Sequence, residues 1–125
     1  MNAPAEPKTQ ITIVLSERRP IRIVDDEWPV LASAASHDGM VRSQANTLRT
    51  IRVREHADGR RIVYGWIRAG GGGKPISWRG TNGGFLVAAG DEDETVRAIR
   101  RMAGVIGDPL VADECLANMP AEPLP

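Results

Sequence analysis

Cysteine, histidine and aromatic residues are all scarce in this sequence, which has one Cys, two His, three Trp, one Tyr and one Phe in 125 residues. A single cysteine, Cys115, excludes a disulfide within the chain, and together with two histidines it leaves few ligands for a metal cluster. No apolar run approaches the roughly 18 residues that a membrane-spanning helix needs. The opening MNAPAEPKTQ lacks the basic start and apolar stretch of a secretory signal. We therefore expect a cytoplasmic protein without metal, cofactor or membrane contact.

The glycine-rich segment Gly70–Gly73, followed by Lys74, resembles a phosphate-binding loop only superficially. The pattern G-x-x-x-x-G-K-[S/T] requires a glycine where Arg68 stands and a hydroxyl where Pro75 stands. The dinucleotide pattern G-x-G-x-x-G also fails, because its last position falls on Pro75 or on the residue after it. The segment is therefore predicted to be a connector between two strands and not a nucleotide site.

Arrangements of catalytic side chains are also missing from the sequence. It contains neither G-x-S-x-G nor H-E-x-x-H. His56 and Asp58 lie together at a predicted hairpin tip, where turn chemistry explains the aspartate. The carboxylates Asp91 and Glu94 fall at a helix start, where capping explains them. Cys115 lies on the inward side of a predicted helix, as a small core residue does. These patterns predict a protein that is not an enzyme.

Positive charge is concentrated in the middle of the chain. Residues 1–38 carry four basic and six acidic side chains, residues 39–90 nine and two, and residues 91–125 three and eight, so that the net charges are −2, +7 and −5. A basic centre between acidic flanks is typical of a site that binds a polyanion. It is equally typical of internal pairing, in which an acidic helix end lies across a basic sheet. The sequence leaves both interpretations open.

Turn and capping signals divide the chain into recognisable elements. Residues 1–9 are predicted to be a disordered lead-in, residues 10–119 a single domain and residues 120–125 a proline-rich tail. Within the domain we expect an α+β fold in the order β-β-α-β-β-β-α-α, with an antiparallel sheet of about five strands and the helices packed on one face. The first helix of this scheme begins near Asp26 and buries Trp28, Leu31 and Ala35.

The remaining elements surround a strong hairpin signal. Strands in NTLRTIRVREH and RRIVYGWIR flank ADG, and a last strand follows in GGFLVAAG. The next helix is capped by Asp91 and has Val96, Ile99 and Ala103 on one side. A final helix runs from Asp108 to about Met119. The rich use of Arg and Ala favours a bacterial source, and no motif matches a characterised family.

The hairpin allows two registers, which expose different residues. A two-residue turn at DG would place Arg54 opposite Val63, whereas a three-residue turn with Gly59 left-handed places Arg54 opposite Ile62. We favour the second register, because Glu55 then meets Arg61 and the core face becomes uniformly aliphatic. That core face consists of Ile51, Val53, Val63 and Ile67.

In the favoured register one sheet face presents arginines interleaved with aromatic rings. Such a surface suits single-stranded nucleic acid, since guanidinium groups pair with phosphates while rings stack on bases. The candidate binding residues are Arg52, Arg54, Tyr64 and Trp66, extended by Arg68, Lys74, Trp78 and Arg79. Tyr, Trp and Arg are also enriched at protein–protein hot spots, so a partner protein or a second copy of the chain is the alternative. Structural cation–π pairs beneath a covering helix would produce the same pattern without any ligand.

Overall fold

The computed structural model describes residues 9–15, 19–38, 46–70, 77–79 and 84–121 of the chain. The side chains of residues 36–38, 46, 47, 68–70 and 77–79 lie outside this description, as do the glycine connector at residues 71–76 and the ends of the predicted lead-in and tail. Seven strands, one short 3₁₀ turn at Asp25–Glu27 and two helices are present in the described part. The elements are β1 (Gln10–Ile13), β2 (Ile21–Val24), β3 (Val30–Asp38), β4 (Asn46–Glu55), β5 (Arg61–Gly70), β6 (Ser77–Arg79), β7 (Phe85–Val87), α1 (Glu92–Ile106) and α2 (Pro109–Asn118).

The strands form two antiparallel sheets, which confirms the predicted α+β class. Strands β1 and β2 form a two-stranded sheet. The main sheet has five strands in the order β3-β4-β5-β6, with β7 also paired to β5. Strands β6 and β7 share β5 as a neighbour, because β6 pairs with residues 67–69 and β7 with residues 61–63. The described residues contain seven strands in total, so the predicted total of about five was too low. The two strands that were not predicted are β3 and β6.

Two apolar clusters lie on opposite faces of the main sheet. On one face α1 and α2 pack against the sheet, with Ile51, Val53 and Val63 meeting Ile99 and Met102. This confirms that the helices pack on one face. On the other face the β1–β2 hairpin supplies residues of a second cluster, which consists of Ile13, Leu15, Ile23, Trp28, Ile62 and Tyr64. The fold therefore has three layers, with helices, the main sheet and a small hairpin in that order.

The helix predicted to begin near Asp26 is wrong. Asp26 lies in the 3₁₀ turn, and the chain from Val30 onward is strand β3. Trp28 belongs to the second cluster, Leu31 packs against the first, and Ala35 is exposed. The alanines of this segment suggested a helix because alanine has the highest helix propensity. Pairing with β4 overrides that preference.

Small residues on β3 have a packing role that the sequence did not reveal. Ala32 pairs with Val53 and Ala34 with Ile51 across the strands, and both alanines are buried in the same cluster as Val111 of α2. Their short side chains let α2 lie close to the edge of the sheet. Close approach of the helix therefore explains why alanine stands where strands usually have β-branched residues.

The β4–β5 hairpin has the favoured register. Glu55 pairs with Arg61 and Arg54 with Ile62, and His56 and Arg60 close a loop in which Gly59 has φ of 93°. This positive φ requires glycine in practice. Because the turn sets the register within a few residues, local sequence was sufficient to predict it.

Both C-terminal helices begin where capping predicted. The Asp91 side chain accepts a hydrogen bond from the Glu94 backbone N–H at 3.0 Å, and α1 follows. Ile99 and Ala103 are buried as expected, whereas Val96 is 38% exposed because Thr95 occupies the inward position. The last helix begins after its Asp108 cap, as predicted. Neither helix, nor any other in the described ranges, is long and apolar enough to cross a membrane.

Candidate functional site

The four central candidate residues share one face of the main sheet, as the register predicted. Arg52 pairs with Tyr64, Arg54 pairs with Ile62, and Trp66 follows Tyr64 by two positions. This face is the one that the β1–β2 hairpin covers. The cover divides the four residues into a buried pair, Arg54 and Tyr64, and a partly exposed pair, Arg52 and Trp66.

The buried pair has a structural role, because its polar groups are hydrogen-bonded inside the protein. This corrects the expectation that all four residues form one open surface. Arg54 is 5% exposed and Tyr64 is 4% exposed. Arg54 Nε–H donates to the Tyr64 hydroxyl at 2.8 Å, and its Nη1 donates to Asp25 Oδ1 at 2.7 Å and to the Trp28 carbonyl at 2.9 Å. Burial alone would lower the pKa of Arg54, but Tyr64 and Asp25 outweigh it and raise that pKa. Arg54 thus stays charged, is hydrogen-bonded at both nitrogens named above, and holds the segment that links β2 to β3.

The covering element is a hairpin and not the helix that we considered from sequence. Ile13 and Ile23 of the hairpin pack in the same cluster as Ile62 and Tyr64, and Ile13 and Ile62 are fully buried. This apolar contact removes the Tyr64 end of the face from solvent. Asp25, which follows β2 directly, supplies the carboxylate for Arg54. No sequence signal links Asp25 to Arg54, because the two residues are 29 positions apart and no local motif joins them.

The partly exposed pair is held by ring stacking. The Arg52 guanidinium carbon lies 4.9 Å from the centroid of the Trp66 ring, within cation–π distance. The Tyr64 and Trp66 ring centroids are 5.8 Å apart with an interplanar angle of 28°. Arg52 Nε is buried, and it has no hydrogen-bond acceptor among the described residues. We call these two side chains the Arg52–Trp66 patch.

The other arginines of the basic block whose side chains are described have oxygen partners. Arg49 Nε donates to the Ile106 carbonyl at 2.8 Å. Arg60 Nε lies 2.7 Å from Asp58. Arg61 pairs with Glu55 at 2.7 Å and with Glu92 at 2.8 Å. An acidic helix end does meet the basic sheet at one of these contacts, because Glu92 at the start of α1 pairs with Arg61. The other contacts use a backbone carbonyl for Arg49 and a neighbouring aspartate for Arg60.

Four further candidates extend beyond what the structure describes. Lys74 lies outside the described residues altogether, and of Arg68, Trp78 and Arg79 only the backbone is described. Strand pairing places Arg68 opposite Trp78 and Ile67 opposite Arg79. Arg68 is two positions beyond Trp66 on β5. The strand register thus brings the backbone of Arg68 and Trp78 next to the patch. A role of their side chains in binding stays a prediction.

Two concave regions occur elsewhere on the described surface. A cleft of about 470 Å³ is lined by acidic residues and His56, below the hairpin tip. A second region of about 540 Å³ lies between the start of α1 and the end of α2, with Arg61 and Met119 in its wall. Neither region includes Arg52 or Trp66.

Three reactive groups outside the patch, His56, Asp58 and Cys115, are engaged or shielded. His56 Nδ1 accepts the Asp58 backbone N–H at 3.1 Å. A hydrogen bond from the backbone of Arg60 is the main cause that lowers the pKa of the exposed Asp58. Burial raises the pKa of the Cys115 thiol to about 11, with a further contribution from Glu114. Among the described residues, no three histidine, cysteine or carboxylate side chains are placed to hold a metal ion.

Comparison with known proteins found no match for this chain. The chain matches no protein-family model, and no curated protein or solved structure is significantly similar to it. A function for the patch must therefore be inferred from the chemistry of its own residues.

Proposed function

We propose that the chain is a non-enzymatic binding module that engages an anionic ligand at the Arg52–Trp66 patch. The observation that carries this proposal is a difference in the partners of the arginines in the basic block. Arg49, Arg54, Arg60 and Arg61 each have a carboxylate or carbonyl partner. Arg52 has only the Trp66 ring as a partner within the described part of the chain, and no described carboxylate neutralises its charge.

Arg54 shows what kind of group would complete Arg52. Both arginines lie on the same face of β4, two positions apart, and both contact an aromatic side chain of β5. Arg54 is completed by a carboxylate oxygen of Asp25 at 2.7 Å. A phosphate or carboxylate of a ligand would do for Arg52 what Asp25 does for Arg54. Hydrogen bonds of this charge-assisted kind contribute about 1.5–3 kcal/mol each.

The ring beneath Arg52 favours binding in a second way. Stacking on Trp66 restricts the guanidinium group before a ligand arrives, so less side-chain entropy is lost on binding. Burial of Nε in a partly dry setting also strengthens attraction to an anion at the outer nitrogens, because charges interact more strongly where water is excluded. The patch therefore combines a prepared cation with an adjacent apolar surface.

The proposal is tested by measuring the binding of fluorescently labelled polyanions, with inorganic polyphosphate and a short single-stranded oligonucleotide as probes. Anisotropy would be followed at 20 mM and 200 mM salt. We expect binding that weakens steeply with salt, and Arg52→Gln should weaken it about tenfold and reduce the salt slope by about one. The control is Arg60→Gln, which removes the same charge from the exposed hairpin tip, where Asp58 already pairs with it.

Two outcomes would overturn the proposal. Absence of binding to both probes at low salt would exclude an anion site, because electrostatic contacts are strongest there. Equal weakening by Arg52→Gln and Arg60→Gln would show a response to net charge and not a site. Binding to a protein partner that is insensitive to salt would instead favour an apolar protein interface on the same surface.

A further inference from the structure

We propose that the groove between the start of α1 and the end of α2 docks a segment of a partner protein in which a large apolar side chain stands beside a lysine or arginine. We call it the α1–α2 groove, and its volume is about 540 Å³. It lies on the helical side of the main sheet, whereas Arg52 and Trp66 lie on the opposite face and do not line it. The inference therefore goes beyond the proposed anion-binding function and does not depend on it.

Both helices contribute apolar side chains to the groove. Val96 of α1 is 38% exposed, and Leu116 and Met119 at the end of α2 are partly buried against the first apolar cluster. Pro120 continues this wall beyond the helix. Methionine adapts its shape to an incoming side chain, because it is unbranched and flexible. An apolar side chain in the groove would remove Val96 from water, which favours docking.

Arg61, the one cation among the described residues that line the groove, is already paired with carboxylates. Its Nε lies 2.7 Å from Glu55 and its Nη1 lies 2.8 Å from Glu92, and the side chain is 14% exposed. Burial lowers the pKa of Arg61, but hydrogen bonds to Glu92 and Glu55 outweigh it and raise that pKa. An anionic occupant would have to displace one of these carboxylates, so the groove does not suit an anion.

The charge that the groove presents to a partner is negative. Glu92 is 65% exposed although it pairs with Arg61, and Asp93 beside it is exposed. With Glu55, three carboxylates stand against one guanidinium in this part of the surface. A lysine or arginine next to the docked apolar side chain would therefore meet opposite charge.

The end of α2 favours a cation for a separate reason. The last turn of α2 contains no basic residue, so nothing within the helix offsets the negative end of its dipole. The Asn118 side-chain amide does not turn back to the last carbonyls of the helix, because it donates to the Ser33 carbonyl at 2.8 Å. A cation from a partner would supply what the sequence of α2 omits.

The experiment measures the binding of short fluorescently labelled peptides to the full chain by anisotropy at 50 mM salt. The first peptide carries two leucines flanked by lysines, the second has glutamates in place of the lysines, and the third has serines in place of the leucines. We expect the first peptide to bind and the other two to bind at least about tenfold more weakly, because each lacks one of the two groups that the groove recognises.

Two pairs of variants locate the binding. Val96→Lys should weaken binding of the first peptide about tenfold, because it removes an apolar contact and adds a repelling charge. Its control is Val105→Lys, since Val105 is 47% exposed on the same helix and does not line the groove. Asp93→Asn should weaken binding by up to about fivefold, whereas Arg52→Gln should leave it within about twofold. In NMR spectra, the methyl signals of Val96 and Met119 should shift on titration while those of Val105 stay in place.

Equal weakening by Val96→Lys and Val105→Lys would overturn the proposal, because it would show a response to net charge alone. Equal affinity for the lysine and glutamate peptides would overturn it too, and so would the absence of binding to all three. Binding that appears only after residues 122–125 are removed would show that the groove of the full chain does not accept a partner. The test of anion binding stands apart from these results, since Arg52 does not line the groove.

Discussion

Arg54 donates its Nε–H to the hydroxyl of Tyr64 at 2.8 Å, and both side chains are buried. The two residues belong to the row that sequence assigned to ligand binding, yet their polar groups are satisfied internally. Their neighbours Arg52 and Trp66 are likewise an arginine and an aromatic residue, yet they remain partly exposed. Position relative to the hairpin, and not residue type, separates an anchor from a candidate contact.

Replacing Arg54 should therefore destabilise the fold much more than replacing Arg52. Arg54→Gln leaves the Tyr64 hydroxyl and the Trp28 carbonyl without their donor, and we expect a loss of about 2–4 kcal/mol in the free energy of unfolding. Arg52→Gln should cost under about 1 kcal/mol, because it breaks one cation–π contact. Urea unfolding followed by tryptophan fluorescence gives both values.

The same measurement on Tyr64→Phe and on the double variant completes a thermodynamic cycle. Tyr64→Phe removes one acceptor from a buried guanidinium, so the two substitutions should be less than additive by about 1–2 kcal/mol. Strict additivity, or equal losses for Arg52→Gln and Arg54→Gln, would contradict the assignment of Arg54 as the anchor.

Arg49 supplies from the sheet a positive charge that α1 lacks in its own last turn. Its Nε donates to the Ile106 carbonyl at 2.8 Å, and no basic residue lies in the last turn of α1. Arg49→Met keeps most of the apolar stem but removes this donor, so we expect a loss of about 1 kcal/mol. Differential scanning calorimetry would show a lower Tm. Arg97→Met is the control, because its exposed pair with Glu94 should contribute under about 0.5 kcal/mol.

Gly65 has no room for a side chain. A Cβ there would lie 2.6 Å from the Thr50 carbonyl oxygen and 2.9 Å from Met102 Cγ. Gly65→Ala should therefore destabilise the protein by about 2–3 kcal/mol through overpacking. Adding Met102→Ala should not restore stability, because the closest contact is with backbone. In contrast, Gly104→Ala meets nothing within 4 Å and should stabilise α1 by about 0.5–1 kcal/mol. Chemical denaturation of the three variants tests this, and stable Gly65→Ala protein would show that β4 and β5 can separate.

Cys115 should be inert in the folded protein. Its side chain is fully buried, and burial raises its pKa from 9.0 to about 11, so the neutral thiol is favoured in the fold. Because the folded pKa is the higher one, this stabilisation is fully present below pH 9 and is lost as pH rises toward 11. Stability of the wild type should thus fall more steeply across that window than stability of Cys115→Ala. Rapid alkylation by iodoacetamide at pH 8 without denaturant would show instead that the thiol is accessible.

Elements with local signals were predictable from sequence. The β4–β5 register follows from the turn at Asp58 and Gly59, because its first pairs form within six residues of each other. The start of α1 follows from Asp91, whose side chain reaches the N–H of Glu94 three residues later. In both places the deciding interaction is formed by residues close together in the chain, so tertiary context is not needed to recognise it.

Strand β3 was not predictable in this way, because its conformation depends on partners that are distant in sequence. Ala32 and Ala34 favour a helix by intrinsic propensity. Pairing with Val53 and Ile51 of β4, together with the approach of α2, decides for a strand. The apolar surface buried in these contacts outweighs the intrinsic preference of the alanines for a helix.

Sequence by itself determined the alternation that places Arg52, Arg54, Tyr64 and Trp66 on one face, since successive residues of a strand point to opposite sides. Only the tertiary structure decided which of them face solvent. The β1–β2 hairpin covers the Tyr64 end of the face, and Asp25 reaches Arg54 from 29 positions away. Burial of a surface residue depends on what packs against it, and that contact forms only when distant segments of the chain come together.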